Sequence, residues 1–107
     1  MNINTTVNAG HEVIDTIVYL DQNGQPMLTT PTPDAPPTWV NVATPDIDTM
    51  SISADGSTDT IQAVGAGVDT ITVTVTVGGV QFVATQNLTV SPAPQVLTDI
   101  EINANVQ

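Results

Sequence analysis

The side chains available for chemistry in this 107-residue chain are eleven carboxylates, one imidazole and a set of hydroxyls and amides; Cys, Lys and Arg are absent. Asp46 and Asp48, with Asp55 or Asp59 as further donors, are the candidate Ca²⁺ ligands, because hard cations take clustered carboxylate and carbonyl oxygens. Their spacing fits no EF-hand loop, which needs a denser run with Gly and Glu at fixed places. Solvated turn carboxylates are the plainer account, and no other cofactor is expected. His11, beside Gly10 and Glu12, reads as a surface loop residue, since a single ligand makes no transition-metal site. With no Cys or Lys to act as nucleophile or partner, no catalytic residue is assigned and no enzyme is expected. Paired carboxylates run glycoside hydrolysis, but that needs a cleft and a raised pKa that nothing in the sequence announces. An isopeptide cross-link needs a Lys and is excluded. Asn4-Thr5-Thr6 and Asn87-Leu88-Thr89 match the N-glycosylation pattern, which matters only on a eukaryotic secretory route.

The net charge of −11 bounds the partners. Binding a nucleic-acid backbone requires cations that displace counterions, and anionic membrane surfaces attract basic segments; neither partner suits this chain. Neutral or basic surfaces and divalent cations do. Met1–Gly10 carries neither the basic region nor the apolar run of a secretory signal, so a product assembled in a cytoplasm is the expectation.

The elements that must position these groups are strands. Val, Ile and Thr dominate, and β-branched side chains fit a pleated surface. Alternation of period two recurs along the chain. It predicts strands at Met1–Val7, Val13–Leu20, Thr38–Val42, Thr49–Ala54 and Thr60–Val64, then a long hairpin. In that hairpin Ile71, Val73, Val75 and Val77 alternate with Thr, Gly78-Gly79 turns the chain, and Val80, Phe82, Ala84, Leu88 and Val90 share a face. Asn23-Gly24 is expected to form a type I′ turn. Thr30–Pro37, with four prolines, is an extended loop. Ser91–Pro94 closes the unit, and Leu97–Val106 forms a last alternating segment.

Seven or eight short strands with turns at such intervals predict an all-β, immunoglobulin-like sandwich with extended terminal arms. Residues 13–92 would be the sandwich, 1–12 an N-terminal strand or arm and 93–107 a C-terminal one. Trp39, Ile71, Val73, Val75 and Phe82 are the expected core. Trp39 could stack on a sugar if exposed, but in this fold class a Trp is more often buried. Ile3, Val7, Ile100, Ile102 and Val106 are the expected partner-binding residues of the arms, either as sheet edges or as strands added to a neighbouring subunit.

Taken in order, Trp39, Met50–Gly56 with its D-G turn, Ile61–Gly67 with its AVGAG turn, and Ile71–Val77 resemble bacterial immunoglobulin-like domains of the second group. The likeness covers about Asp15 to Val90. Asp21-Gln22-Asn23-Gly24-Gln25-Pro26 ahead of Trp39 resembles the short stand-alone members among tailed-phage virion proteins. The missing Lys and Arg and the long Pro-rich loop depart from the family pattern. The resemblance implies a sandwich displayed on a virion or cell surface; the missing signal, the single-domain length and the acidity then point to a structural protein that decorates the outer capsid or a tail component of a tailed phage, displayed on the virion surface. Its partners would be other virion proteins in a symmetric oligomer or lattice, with a glycan as a further candidate. The alternative is an adhesion or carbohydrate-binding module on a bacterial cell surface.

Overall fold

Seven strands form in the computed structural model, which describes residues 2–94, 97 and 99–106. They are β1 (Asn2–Asn8), β2 (Glu12–Thr16), β3 (Thr38–Asn41), β4 (Asp48–Ile52), β5 (Thr58–Ala63), β6 (Gly67–Val77) and β7 (Val80–Ser91). Met1, which begins the expected first strand, and Gln95, Val96, Thr98 and Gln107 of the expected C-terminal arm lie outside the described residues.

The strands make two sheets, one in the order β1-β7-β6-β3 and the other β2-β5-β4. This is an immunoglobulin-like sandwich in which the first strand lies beside the last rather than beside β2. β1 runs parallel to β7, from Asn2 opposite Thr85 to Asn8 opposite Ser91. The N-terminal segment is therefore a sheet strand rather than a projecting arm. Val7 packs on the core, while Ile3 is exposed.

The β6–β7 hairpin is the longest element, pairing without interruption from Gly67–Val90 to Val77–Val80. Gly78 and Gly79 both have positive φ, 58° and 78°, which a type I′ turn demands and which Gly adopts without a Cβ clash. The Pro-rich loop ties itself to this tip. Asp34 N–H donates to the Thr76 carbonyl, and the Asp34 carboxylate accepts from Gly78 and Gly79 N–H at 2.9 and 2.8 Å. Those two bonds hold the Asp34 pKa below its ordinary value.

Two sequence expectations fail locally. β2 stops at Thr16 instead of continuing to Leu20, because its partner β5 begins at Thr58; Leu20 forms an isolated bridge to Pro26 instead. Ile17 N–H makes one last bond, to the Ser57 carbonyl. The Asn23-Gly24 turn is not type I′: Gly24 alone has positive φ, at 74°. Gly24 N–H donates to the Asp21 carbonyl, and Asp21 Oδ1 accepts from Asn23 and Gln25 N–H. This is a three-residue loop, organised by the Asp21 side chain.

The core lies between the sheets. Trp39, Ile61, Ala63, Ile71, Leu88 and Val90 are buried together, with Val13, Ile17, Met50 and Val73 packed against them. Val75 is buried as well. Phe82, expected in this layer, is 57% exposed. The cause is a mismatch of lengths: β2, β4 and β5 have five or six residues, whereas β6 and β7 have eleven and twelve. The far half of the hairpin overhangs the opposing sheet.

Candidate functional site

The overhang creates the first candidate site. Beyond the end of the β2-β5-β4 sheet, the apolar face of the hairpin faces the segment that follows β2 and the loop after it. A groove of about 490 Å³ lies between them, lined among others by Val18, Leu20, Met27, Val77 and Phe82. A second cavity of about 360 Å³ continues toward the core, bounded by Ile14, Asp15, Trp39, Ile71 and Gln86. Ile3 also lines it.

The second feature is polar and sits inside the sandwich. Period-two geometry places Asp59 on the same face as Ile61 and Ala63, Asp69 with Ile71, and Gln86 with Leu88. All three are buried, as is Asp48. Two carboxylate pairs result.

Asp48 and Asp69 form the better satisfied one. Asp69 Oδ1 accepts from Val42 and Ala43 N–H at 3.1 and 2.8 Å. Asn41 Nδ2 donates to Asp69 Oδ2 at 3.2 Å and to Asp48 Oδ1 at 3.4 Å. Burial, the hydrogen bond to Asp69 and the charge of Asp69 push the Asp48 carboxyl up to about 7. Burial also opposes the charge on Asp69, but bonds from Asp48, Ala43, Asn41 and Val42 outweigh it and keep that pKa low. One proton shared from Asp48 to Asp69 is the arrangement these shifts describe.

Asp15 and Asp59 form the other pair, directly opposite one another on β2 and β5. Asp59 is 0% exposed, and beyond the Ser51 N–H its oxygens have no hydrogen-bond partner among the described residues. Burial and the Asp15 charge push its pKa up to about 6. Asp15 is raised by burial too, less a hydrogen bond from Gln86. Gln86 reaches across from β7, its Nε2 donating to Asp15 Oδ1 at 3.2 Å and to Thr5 Oγ1 at 3.0 Å. Its Oε1 is buried and has no partner among the described residues.

The Ca²⁺ candidates Asp46 and Asp48 do not converge. Asp46 is on the surface, accepting from the Thr44 hydroxyl, while Asp48 points inward to Asn41 and Asp69. Asp55 is spent on a turn, accepting from Ser53 and Ser57. Among the described residues no group of three or more His, Cys, Asp or Glu side chains is gathered for a metal. Trp39 is buried, its Nε1 donating to the Gly56 carbonyl at 2.8 Å. Leu97, Ile100, Ile102 and Val106 of the C-terminal segment are exposed and belong to no strand. Asp69 and Gln86 were not singled out as site residues in the sequence, although the parity of each strand placed both in the inner layer.

No family model matches the sequence, and no curated protein matches it. Solved structures do. Domains 4–9 of the surface layer protein SbsC superpose with a TM-score of 0.56 at 19% identity, covering 89% of this chain and 14% of that one. The SbsC fragment of domains 4 and 5 gives 0.52 at 20% identity, over 80% of this chain and 41% of that one. An immunoglobulin-domain complex of titin M10 and obscurin-like 1 gives 0.45 at 19% identity. The chain thus spans less than half of each SbsC fragment it resembles, and at these identities the likeness is one of fold. The class defined is an all-β, immunoglobulin-like sandwich.

Proposed function

We propose that this chain is a non-enzymatic structural module that attaches to a larger assembly through its C-terminal segment, and that the assembly is the outer surface of a tailed-phage virion, capsid or tail. The observation that carries the reading is the segment itself. Leu97, Ile100, Ile102 and Val106 are all exposed. Burying a side chain of this kind contributes about 1.5–3 kcal/mol, so four of them facing water on one segment favour a partner that covers them. Ile100, Ile102 and Val106 share the parity of a strand, which suits addition to a sheet edge. The charge of −11 favours an outward-facing position over a surface against packaged DNA.

The test is removal of residues 97–107. Purified particles assembled with the truncated chain should carry few or no copies by quantitative mass spectrometry, while circular dichroism of the free truncated protein retains its β signal. Full occupancy by the truncated chain would overturn the attachment model.

A second reading, a module of a bacterial cell-surface protein that adheres to a wall or glycan, is favoured by the fold shared with SbsC domains. It predicts sedimentation of the isolated domain with cell-wall fragments or retention on a glycan array, neither of which the virion reading requires.

A further inference from the structure

We propose that the groove under the overhanging hairpin receives residues 99–106 of a second copy of this chain, as a strand added to the free edge of β7. The inference rests on the reading of residues 97–107 as an attachment segment and deepens it by naming the partner. β6 lines β7 on one side without a break, from Val80 to Val90. β1 lines the other side only from Thr85 onward. Residues 80–83 therefore carry no second strand among the described residues, and a sheet edge of this kind is a template for an added one. The groove of about 490 Å³ is lined by Phe82 and Val83 of this same stretch. Val18, Leu20, Met27 and Phe82 border it and are 42–60% exposed.

The C-terminal segment has the matching pattern. Ile100, Ile102, Ala104 and Val106 alternate with Asp99, Glu101, Asn103 and Asn105. A strand of that parity turns a wholly apolar face to the groove and a polar face to water. The segment lies off its own sandwich. At about 3.3 Å per residue the twelve-residue β7 spans about 40 Å, whereas the long axis of the molecule is 77 Å. β7 ends at Ser91, opposite the Gly78-Gly79 tip where the groove lies. Pro92 and Pro94 then keep the departing chain extended and out of any ladder. Direction completes the fit. A neighbour displaced along the long axis presents its hairpin tip to this segment. The segment enters the neighbour's groove parallel to β7 and in line with β1, which is itself parallel to β7. The contact is head-to-tail, so its repetition builds a ring or an open filament.

The experiment is sedimentation velocity of the full chain from micromolar to millimolar concentration. Its mean mass should grow with concentration. Growth should be stronger in 0.1 M than in 0.01 M NaCl, because two copies of charge −11 repel and the screening length falls from about 30 to about 10 Å. A chain lacking residues 97–107 and the variant Phe82→Asp should each stay monomeric with the β signal of circular dichroism retained. Ile100→Asp with Ile102→Asp gives the same loss without touching the sandwich. Mixed together, the truncated chain supplies a groove and Phe82→Asp supplies a segment, so the two should form a one-to-one pair that grows no further. A monomer under every condition, association that survives the truncation, or a mixture that does not pair would overturn the inference. A monomeric full chain whose truncation still empties the particles would overturn self-pairing and leave the attachment reading standing. Self-pairing beside full particle occupancy by the truncated chain would do the reverse.

Discussion

The Trp39 indole donates its N–H to the carbonyl of Gly56, a bond of 2.8 Å that joins β3 to the β4–β5 turn and so ties the two sheets together at one end. Gly56 is fixed by this contact and by its own backbone, with φ at +76° and Pro37 so close that an added Cβ would lie 2.8 Å from its Cδ.

Gly56→Ala is therefore expected to destabilise strongly, by about 2 kcal/mol or more, since it combines left-handed strain with a clash against a rigid ring. Urea unfolding measures it. A midpoint within error of the wild type would mean that the turn relaxes freely and that the Trp39 anchor does not constrain it.

Leu88 and Phe82 share the inner face of β7 but not the same surroundings: Leu88 is 0% exposed. Leu88→Ala should cost about 2–5 kcal/mol, as for deletions in a closed core. Phe82→Ala should cost much less than the 3–5 kcal/mol usual for a buried Phe. Equal losses in chemical denaturation would show that the overhanging half of the hairpin is covered in solution.

Acidity should stabilise the fold over a defined range. Asp48 and Asp59 have pKa values raised from 3.8 to about 7 and about 6. Between those values and 3.8 the native state binds more protons than the unfolded chain, so their contribution is full near pH 4 and is lost as pH rises through 6 and 7. Asp69, whose pKa is lowered, works the other way and only under more acidic conditions. Melting at pH 5 should exceed melting at pH 8 by several degrees at fixed ionic strength, and the Asp48→Asn, Asp59→Asn double variant should flatten the profile. Higher stability at pH 8 would contradict the assignment of these carboxyls to the interior.

Much of the fold could be read in the sequence where alternation was uninterrupted. The β6–β7 hairpin followed from Thr alternating with Ile and Val and from Gly78-Gly79, because both signals are local. What the sequence hid was relational. Phe82 alternates correctly with Leu88 and Val90, yet whether a face is covered depends on the length of strands elsewhere, here β2 and β5. The Asn23-Gly24 pair looks like a type I′ turn until Asp21 competes for the same N–H groups. The interior carboxylates were legible by parity, since Asp59 keeps step with Ile61 and Asp69 with Ile71. Acidic residues are assigned to solvent by habit, and nothing local shows that two of them will meet across strands.

The parallel pairing of β1 with β7 has a mechanical consequence. The chain enters this ladder at Asn2, and β7 leaves it at Ser91, at the opposite end of the seven-residue overlap. Tension applied between these two points pulls along the strands and loads the whole set of rungs together, as a lap joint does, instead of peeling them one at a time. A protein attached at one end and dragged by fluid or by a moving cell at the other would resist extension until the joint shears as a unit. Single-molecule pulling between residues 2 and 91 should register that as one sharp rupture, and a gradual extension at low force would show that the joint peels.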